Sequence, residues 1–396
     1  MRVKSDTCWL SPYNARFDNL NQDFKLKLHD STLRDGEQTS GVVLTSKDKI
    51  KLAAALSEAG VDRIEAGMPV VSEDDARAIG EIKKMGLTAE ILSFCRARKE
   101  DIDKSLEIGV DHVCIETPAG EPRLKYQFNW THDEVIEKSV NIVGYAKSLG
   151  LKVTFFPYDT TRAELDFLER LLTALDQHAR PEGVVVVDTI GCALPQTMAF
   201  LVKEFKRMVD WSIEVHTHND FGLGVANTLA AVTAGADTAH VCVNGLGERT
   251  GNASLAEVVM SARYLLGIKT GVITEKLTSL AGIVGETTGI PVPKNAPFVG
   301  EYAYTRETGI GINMQKEAPL VIYPVLPKIV GQTARPVLGK KSGKMSVRLR
   351  LEELGLAATD EQVAEILDAV KTQAIAKKAL ITDKEFDDIL HELKVR

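Results

Sequence analysis

The amino-acid sequence predicts an α/β fold, a (β/α)8 TIM barrel followed by a proline-rich connector and a small helical C-terminal subdomain. Eight short strand-like runs alternate with helical patterns, which is the repeat of a barrel. Polar residues follow nearly every run, as expected where strand C-termini surround an active site. A doubly wound sheet is the alternative, but no glycine-rich dinucleotide loop follows the first run.

The strands are predicted from short apolar or alternating runs, and the helices from apolar side chains that recur every three or four residues. Strands are predicted at Lys25–His29, Asp62–Glu65, Glu90–Phe94, His112–Glu116, Lys152–Phe156, Val184–Asp188, Ile213–His216 and Thr238–Val243. Helices are predicted at Lys47–Ala59, Arg162–Leu175 and Pro195–Val209. Polar residues at the strand ends include Asp30, Glu65, Arg96, Glu116, Asp159 and Asp188.

Four segments are expected along the chain. They are an N-terminal extension over residues 1–24, the barrel over 25–285, a connector over 286–340 and a helical subdomain over 341–396. The connector is predicted because seven of the 14 prolines fall between Pro291 and Pro336. Two capping-box patterns, beginning at Thr359 and Thr382, predict helices near the C-terminus.

Composition excludes several classes of protein. The 396-residue chain has a net charge of −7 without a basic cluster, which argues against nucleic-acid binding. No apolar run approaches the length of a membrane span, and the N-terminus lacks the apolar stretch of a signal peptide. Five cysteines without CxxC spacing are typical of reduced thiols. We therefore expect a cytoplasmic protein that acts on small molecules.

The segment Trp211–Asp220 predicts a metal site. Its first half alternates apolar and polar residues, like a strand, and His216 and His218 then lie two residues apart. Side chains at this spacing point to the same face of a strand, so both imidazoles can reach one ion. A lone histidine is more often a packed or surface residue. Asp35, after the first strand, supplies an anionic ligand, and such a set leaves coordination positions open for substrate oxygens.

Three motifs together resemble the DRE-TIM metallolyase superfamily, and in particular 2-isopropylmalate synthase and homocitrate synthase. They are Asp30-Ser-Thr-Leu-Arg-Asp-Gly-Glu-Gln38, His216-Thr-His-Asn-Asp220 and Asn244-Gly-Leu-Gly-Glu-Arg-Thr-Gly-Asn252. The similarity continues into Gly339–Gly343 and the terminal helices. It implies an enzyme that condenses an acyl-CoA with a 2-oxo acid, and a homodimer in which the C-terminal region covers a partner's barrel mouth.

The resemblance also implies roles for individual residues. Asp35, His216 and His218 would bind a divalent ion (Mg, Mn, Zn or Co), with Asn252 nearby. Arg34 would polarise the 2-oxo acid, whose ketone the ion activates as a Lewis acid. The substrate-contacting residues implied are Gln38, Arg96 and Thr189. Phe156, in the altered fifth-strand motif, is a further candidate for substrate contact.

The chain departs from these synthases where their catalytic base lies. The family's His-Glu-Ser-Gly-Ile-His becomes Arg306–Gly311, and a family tyrosine falls on Ile322, beside Tyr323. The fifth-strand motif Phe-Ser-x-Glu-Asp becomes Phe155–Asp159, which exchanges a hydroxyl and a carboxylate for two aromatic rings. Two further family histidines are replaced by Arg123 and Lys341. Candidates for the missing base are Tyr158, Tyr323 and a hydroxide on the metal.

Three functions remain open at this point. The first is the metal-dependent acyltransferase. The second is a carbon–carbon lyase of the 3-hydroxy-3-methylglutaryl-CoA lyase or aldolase type, although Gly247–Thr250 lacks the lyase's cysteine and Glu37 follows Gly36 where the aldolase has a histidine. The third is a non-catalytic ligand-binding homologue. The aromatic pair at Phe156 and Tyr158 predicts that 2-oxoglutarate is a poor substrate, unless both rings simply pack into the barrel core.

Overall fold

Eight parallel strands close into a barrel, as the sequence predicts. The structure is a computed structural model that describes residues 4–17 and 24–395. Each strand pairs with the next, and β1 pairs with β8 to complete the ring. The strands are β1 Lys27–Asp30, β2 Arg63–Glu65, β3 Glu90–Arg96, β4 His112–Pro118, β5 Lys152–Tyr158, β6 Gly183–Asp188, β7 Ser212–Thr217 and β8 Thr238–Val241.

Helices follow the strands around the outside of the barrel. They are α1 Ser46–Ala59, α2 Glu73–Lys84, α3 Lys99–Glu107, α4 Glu121–Arg123, α5 His132–Ser148, α6 Leu165–His178, α7 Pro195–Met208, α8 Gly224–Thr233, α9 Leu255–Leu265 and α10 Leu277–Thr288. The sequence located all eight strands, with ends displaced by a few residues. β4 and β5 each run two residues further than predicted, and β8 ends two residues earlier, before a turn in which Asn244 has a φ of 57°.

Contacts divide the chain into two compact units. One holds the described residues of Arg16–Val292, and the other holds those of Arg2–Ala15 and Pro293–Arg396. The predicted segment boundaries stay a prediction; in the structure α10 continues to Thr288, beyond the expected end of the barrel. Within the second unit, residues 4–15 contact the connector through backbone bonds such as Trp9 N to Pro324 O and Leu326 N to Thr7 O.

The second unit contains a small helical core. Its elements are β9 Thr305–Arg306, β10 Arg335–Pro336, α11 Met314–Glu317, α12 Lys344–Glu353, α13 Asp360–Lys377 and α14 Asp383–Glu392. Both predicted capping boxes are present, at Thr359 and Thr382. The apolar face of α13, with Val363, Ile366 and Val370 buried, packs in this core. None of the helices described is long and apolar enough to cross a membrane.

Candidate metal centre and reaction pocket

Asp35, His216 and His218 meet at the C-terminal end of the barrel. His216 lies near the end of β7, and His218 follows that strand. Asp35 lies in the loop after β1, directly before the short 3-10 helix Gly36–Gln38. The Asp35 Oδ2 atom lies 3.2 Å from His216 Nε2 and 3.5 Å from His218 Nε2. All three side chains are buried. The backbone amide of Glu248 donates to Asp35 Oδ1 at 3.3 Å and holds the carboxylate in place.

The ionisation states of these three groups favour a bound cation. Burial alone would raise the pKa of Asp35, but Arg34, His216 and His218 together hold it well below its usual value. Burial lowers the pKa of His216, and burial with the neighbouring His216 lowers the pKa of His218 to about 4. One carboxylate and two neutral imidazoles are therefore present near neutral pH, and these are the forms that ligate a divalent ion.

Asn252 lies beside the histidines. Its backbone forms an antiparallel bridge with that of His218. Its Nδ2 donates to the carbonyl of Leu246 at 3.1 Å, while its Oδ1 is buried and accepts no hydrogen bond from the described residues. An unsatisfied buried amide oxygen is costly, and a cation would satisfy it. The donor set as a whole thus fits a divalent metal ion.

Arg34 is held beside this centre by Glu65, at the end of β2. The Arg34 Nε atom donates to Glu65 Oε2 at 2.9 Å, and the guanidinium lies over the Phe94 ring at 4.1 Å. Ser31 also donates to the same carboxylate oxygen at 2.7 Å. Arg34 Nη2 is buried without a hydrogen-bond partner in the described chain. The ion pair with Glu65 fixes the guanidinium, and Nη2 is left to donate to a substrate oxygen.

A second polar layer lies deeper in the barrel. His240 Nε2 is 2.8 Å from Glu214 Oε2, and Arg63 Nη1 donates to Glu214 Oε1 at 2.6 Å. His29 stacks on His240 with ring centroids 3.9 Å apart and planes 10° from parallel. Imidazole lone pairs lie in the ring plane, so parallel rings cannot direct both at one ion. This layer is a hydrogen-bonded network around the largely buried Arg63–Glu214 ion pair and not a second metal centre.

The two aromatic residues of β5 have different environments. Phe156 is buried and meets the rings of Phe94 and His216 edge to face, with centroids 5.3 Å away in both cases. It therefore belongs to the packed interior and also touches a metal-centre histidine. Tyr158 is partly exposed and lies 5.9 Å from the Arg123 guanidinium. Burial and the nearby Glu116 raise the pKa of the Tyr158 phenol above its ordinary value.

A cavity of about 700 Å³ opens beside the ends of β3, β4 and β5. Its wall combines aromatic rings with basic and acidic groups, and includes Arg96, Lys99, Glu116, Trp130, Lys138 and Tyr158. The Lys138 ammonium lies 4.9 Å from the Trp130 ring. The pocket has the mixed apolar and charged lining that suits a small organic acid or thioester.

The other predicted site residues are less directly placed. Gln38 is exposed, and Arg96 forms two 2.8 Å bonds with Asp101 across an open part of the pocket wall. Thr189 accepts a 2.6 Å bond from the Asp159 amide. Tyr323 lies in the second unit, where its hydroxyl accepts from Gln315 at 2.5 Å and donates to the Tyr304 carbonyl at 3.0 Å.

In the sequence, Glu65 and Glu116 stand out only as polar residues at the ends of predicted strands. No local pattern around them indicates chemistry, because their partners come from other strands. The usable signal was position alone, since both are carboxylates on strand ends in a barrel.

Comparisons with known proteins agree with this architecture. Residues 25–284 match the family model HMGL-like, and residues 298–378 match the homocitrate synthase post-HMGL domain-like model. A probable 2-isopropylmalate synthase of Ignicoccus hospitalis is 42% identical over 88% of this chain and 87% of its own. A homocitrate synthase of Methanopyrus kandleri is 41% identical over 92% of both chains.

A third relative and a solved structure extend the comparison. A putative (R)-citramalate synthase of Archaeoglobus fulgidus is 41% identical over 88% of this chain and 71% of its own. The crystal structure of the HMG-CoA lyase of Bacillus subtilis superimposes with a TM-score of 0.62 at 22% identity, covering 68% of this chain and 95% of that one. That structural likeness concerns the barrel fold alone. The sequence matches, which span nearly the whole chain, establish that this protein belongs to the HMGL-like family.

Proposed function

We propose that this protein is a divalent-metal-dependent acyltransferase that condenses an acyl-CoA with a 2-oxo acid. The observation that carries the proposal is the buried set of Asp35, His216 and His218 beside an arginine with an unused donor nitrogen. Such a set binds an ion that keeps positions open for a carboxylate and a ketone. The names of the relatives, which are synthases of isopropylmalate, homocitrate and citramalate, support the same reaction class.

The residues have distinct parts in this proposal. Asp35, His216 and His218 hold the ion, with Asn252 Oδ1 as a further oxygen donor; Mg, Mn, Zn and Co are all compatible with mixed nitrogen and oxygen ligands. When bound, the ion supplies Lewis-acid activation of the ketone. Arg34 Nη2 donates to a substrate oxygen and stabilises the negative charge that develops there.

The pocket beside β3, β4 and β5 receives the remainder of the reactants. Gln38, Arg96, Phe156 and Thr189 stay candidates for substrate contact, and Tyr158 with Tyr323 stay candidates for catalysis. Of these, Arg96 and Tyr158 line the cavity directly. We further propose that the protein works in the cytoplasm as a homodimer.

Release of free CoA thiol tests the function. Acetyl-CoA and propionyl-CoA are each incubated with the metal-loaded protein, with and without pyruvate, 3-methyl-2-oxobutanoate, 2-oxoglutarate or phenylpyruvate. The proposal expects thiol release that requires both an acyl-CoA and a 2-oxo acid, and that stops when the metal is removed by a chelator. No thiol release from any pair, with the metal bound, would contradict the acyltransferase and favour a lyase or a binding protein.

A further inference from the structure

Glu116 differs from the other buried carboxylates at the mouth of the barrel. Those carboxylates have partners: Glu65 with Arg34, Asp101 with Arg96, Asp159 with Arg162, and Asp188 with Thr161 and two backbone amides. The Glu116 carboxylate has neither a hydrogen bond nor an ion pair with any of the described residues, although it is mostly buried. A carboxylate left unpaired in such a place is unfavourable, so a role in binding or chemistry is the natural explanation.

The strand register places this carboxylate in the barrel mouth. Glu116 is paired with Arg96 on β3 and with Phe156 on β5. Neighbours in register on parallel strands point to the same side of the sheet, and Phe156 points inward. Cys114, two residues earlier, lies in the same interior cluster as Phe156. Glu116 therefore stands one layer above Cys114 on β4 and faces the cavity.

Charged and titratable groups surround Glu116 from several elements. Arg34 and Arg96 favour its ionised form, whereas Asp101 and Glu65 oppose it. Tyr158 lies beside it on β5, and Lys99 and Lys138 line the same cavity. Burial is the largest influence and raises the pKa of Glu116 to about 7. A carboxylate with this pKa can accept a proton and release it again at neutral pH.

The alternatives for a base are weaker in this structure. The pKa of Tyr158 is raised, so its phenolate is scarce at neutral pH. The Tyr323 hydroxyl is already engaged by two partners, one donor and one acceptor, and burial raises its pKa as well. Gly311, at the position of a family histidine, has no side chain. The carboxylate on β4 is the one group of the cavity wall with both an open oxygen and an adjacent guanidinium.

We propose that Glu116 is the catalytic base of the condensation. This assignment rests on the proposed acyltransferase function. A Glu116 oxygen takes a proton from the α-carbon of the acyl thioester, and the electron pair of that C–H bond forms the new bond to the keto carbon. The carbonyl π pair moves to the keto oxygen, which takes a proton from solvent. Water then cleaves the thioester C–S bond, giving a carboxylate and the CoA thiol, and Glu116 returns its proton to solvent.

The test compares Glu116→Gln and Glu116→Asp with the parent, using the substrate pair that the parent turns over best. The matched control is Glu121→Gln, a partly exposed carboxylate that follows β4 and pairs with His132. Loss of a general base lowers kcat by roughly 100-fold to 10,000-fold. We expect a loss in this range for Glu116→Gln, with the KM for the 2-oxo acid within about threefold of the parent. The control is expected to keep the parent rate.

Two further measurements distinguish a catalytic role of Glu116 from a purely structural one. The parent kcat/KM should rise with pH through an apparent pKa near 7, and this rise should be absent in Glu116→Gln. Glu116→Asp keeps a carboxylate, so it should fold like the parent, retain the pH dependence and show a larger kinetic isotope effect with acyl-CoA deuterated at the α-carbon. A merely structural residue would change neither the pH profile nor the isotope effect.

Each outcome decides the question. Parent-like kcat or an unchanged pH profile in Glu116→Gln, or an unchanged isotope effect in Glu116→Asp, would overturn the assignment of Glu116 while leaving the acyltransferase intact. Absence of thiol release from the parent with every pair would overturn the proposed function and the assignment together.

Discussion

The Nε2 atoms of His216 and His218 lie 3.2 Å apart. Two adjacent nitrogen ligands at metal–nitrogen distances of about 2.0–2.1 Å are roughly 2.8–3.4 Å from each other across octahedral and tetrahedral geometries. The spacing of the two imidazoles thus already matches that of adjacent ligands on one ion, with Asp35 Oδ2 within 3.5 Å of both. The side chains are arranged for a cation without any rearrangement of the backbone.

Replacement of His216 by alanine is expected to abolish thiol release and to lower the bound metal well below one ion per chain. The reason is that one of the two imidazole ligands is lost, and the ion loses its fixed position. Metal content by mass spectrometry and the rate of thiol release measure the two effects. His178→Ala, an exposed histidine at the end of α6, is the control. A fully active, metal-free variant would refute the metal centre.

Replacement of Arg34 by alanine should destabilise the protein as well as inactivate it. Glu65 would be left buried without its guanidinium partner, which lies 2.9 Å away, and breaking a buried ion pair on one side costs about 3–5 kcal/mol. Denaturant unfolding measures the change. Arg180→Ala removes an exposed pair with Asp210 and should change stability by less than about 1 kcal/mol. Equal stability of the two variants would contradict a buried ion pair at Arg34.

The aromatic ring of Tyr158 is expected to govern the preference among 2-oxo acids. The parent should favour phenylpyruvate or a branched acceptor over 2-oxoglutarate, because a polar tail buried without a partner costs about 1–3 kcal/mol. Tyr158→Phe should keep this preference, and Tyr158→Ala should lose it. Ratios of kcat/KM across the panel give the answer. Strong turnover of 2-oxoglutarate by the parent would contradict this view of the pocket.

Glu116→Gln should stabilise the protein at high pH. The pKa of Glu116 rises from 4.5 to about 7 on folding, so between these values the folded state binds more protons and the parent loses stability as the pH rises. The glutamine variant lacks this loss. We expect it to equal the parent near pH 4.5 and to exceed it by roughly 1–3 kcal/mol at pH 8. Denaturant unfolding at both pH values checks the difference, and a variant less stable than the parent at pH 8 would exclude an unpaired carboxylate.

A homodimer is the expected state in solution. The resemblance to the synthases places the C-terminal region of one chain across the barrel mouth of another. Light scattering at micromolar concentration should give twice the mass of the 43.2 kDa chain. A monomer that retains full activity would show that the barrel mouth needs no second copy.

The barrel and the metal ligands could be predicted from sequence because both depend on local spacing. The eight strands follow from sequence runs of four to six residues, and the two histidines of the metal centre are separated by a single residue at the end of β7. Asp35 was identified because it belongs to a motif, Asp30–Gln38, that is contiguous in the chain.

The pairing of Arg34 with Glu65 and the isolation of Glu116 could not be predicted in this way. Both depend on which strand ends become neighbours and on how far a carboxylate is from the nearest cation, and no spacing in the sequence encodes these distances. From the sequence, Tyr158 and Tyr323 are equal candidates for the catalytic base. Their surroundings differ only in the folded structure, where Tyr158 lies near Arg123 and the Tyr323 hydroxyl bonds to Gln315 and Tyr304.

The register of β4 against β5 has a consequence for how such barrels change their substrates. Glu116 is the direct lateral neighbour of Phe156, and Pro118 that of Tyr158. The negative charge that β5 lacks at Tyr158 is thus available from the adjacent strand, but two residues earlier in the register. A functional group can in this way be supplied by a neighbouring strand of the barrel, at a different depth in the pocket. Position-by-position alignment of relatives would record such a change as a loss, although a carboxylate is present on the adjacent strand.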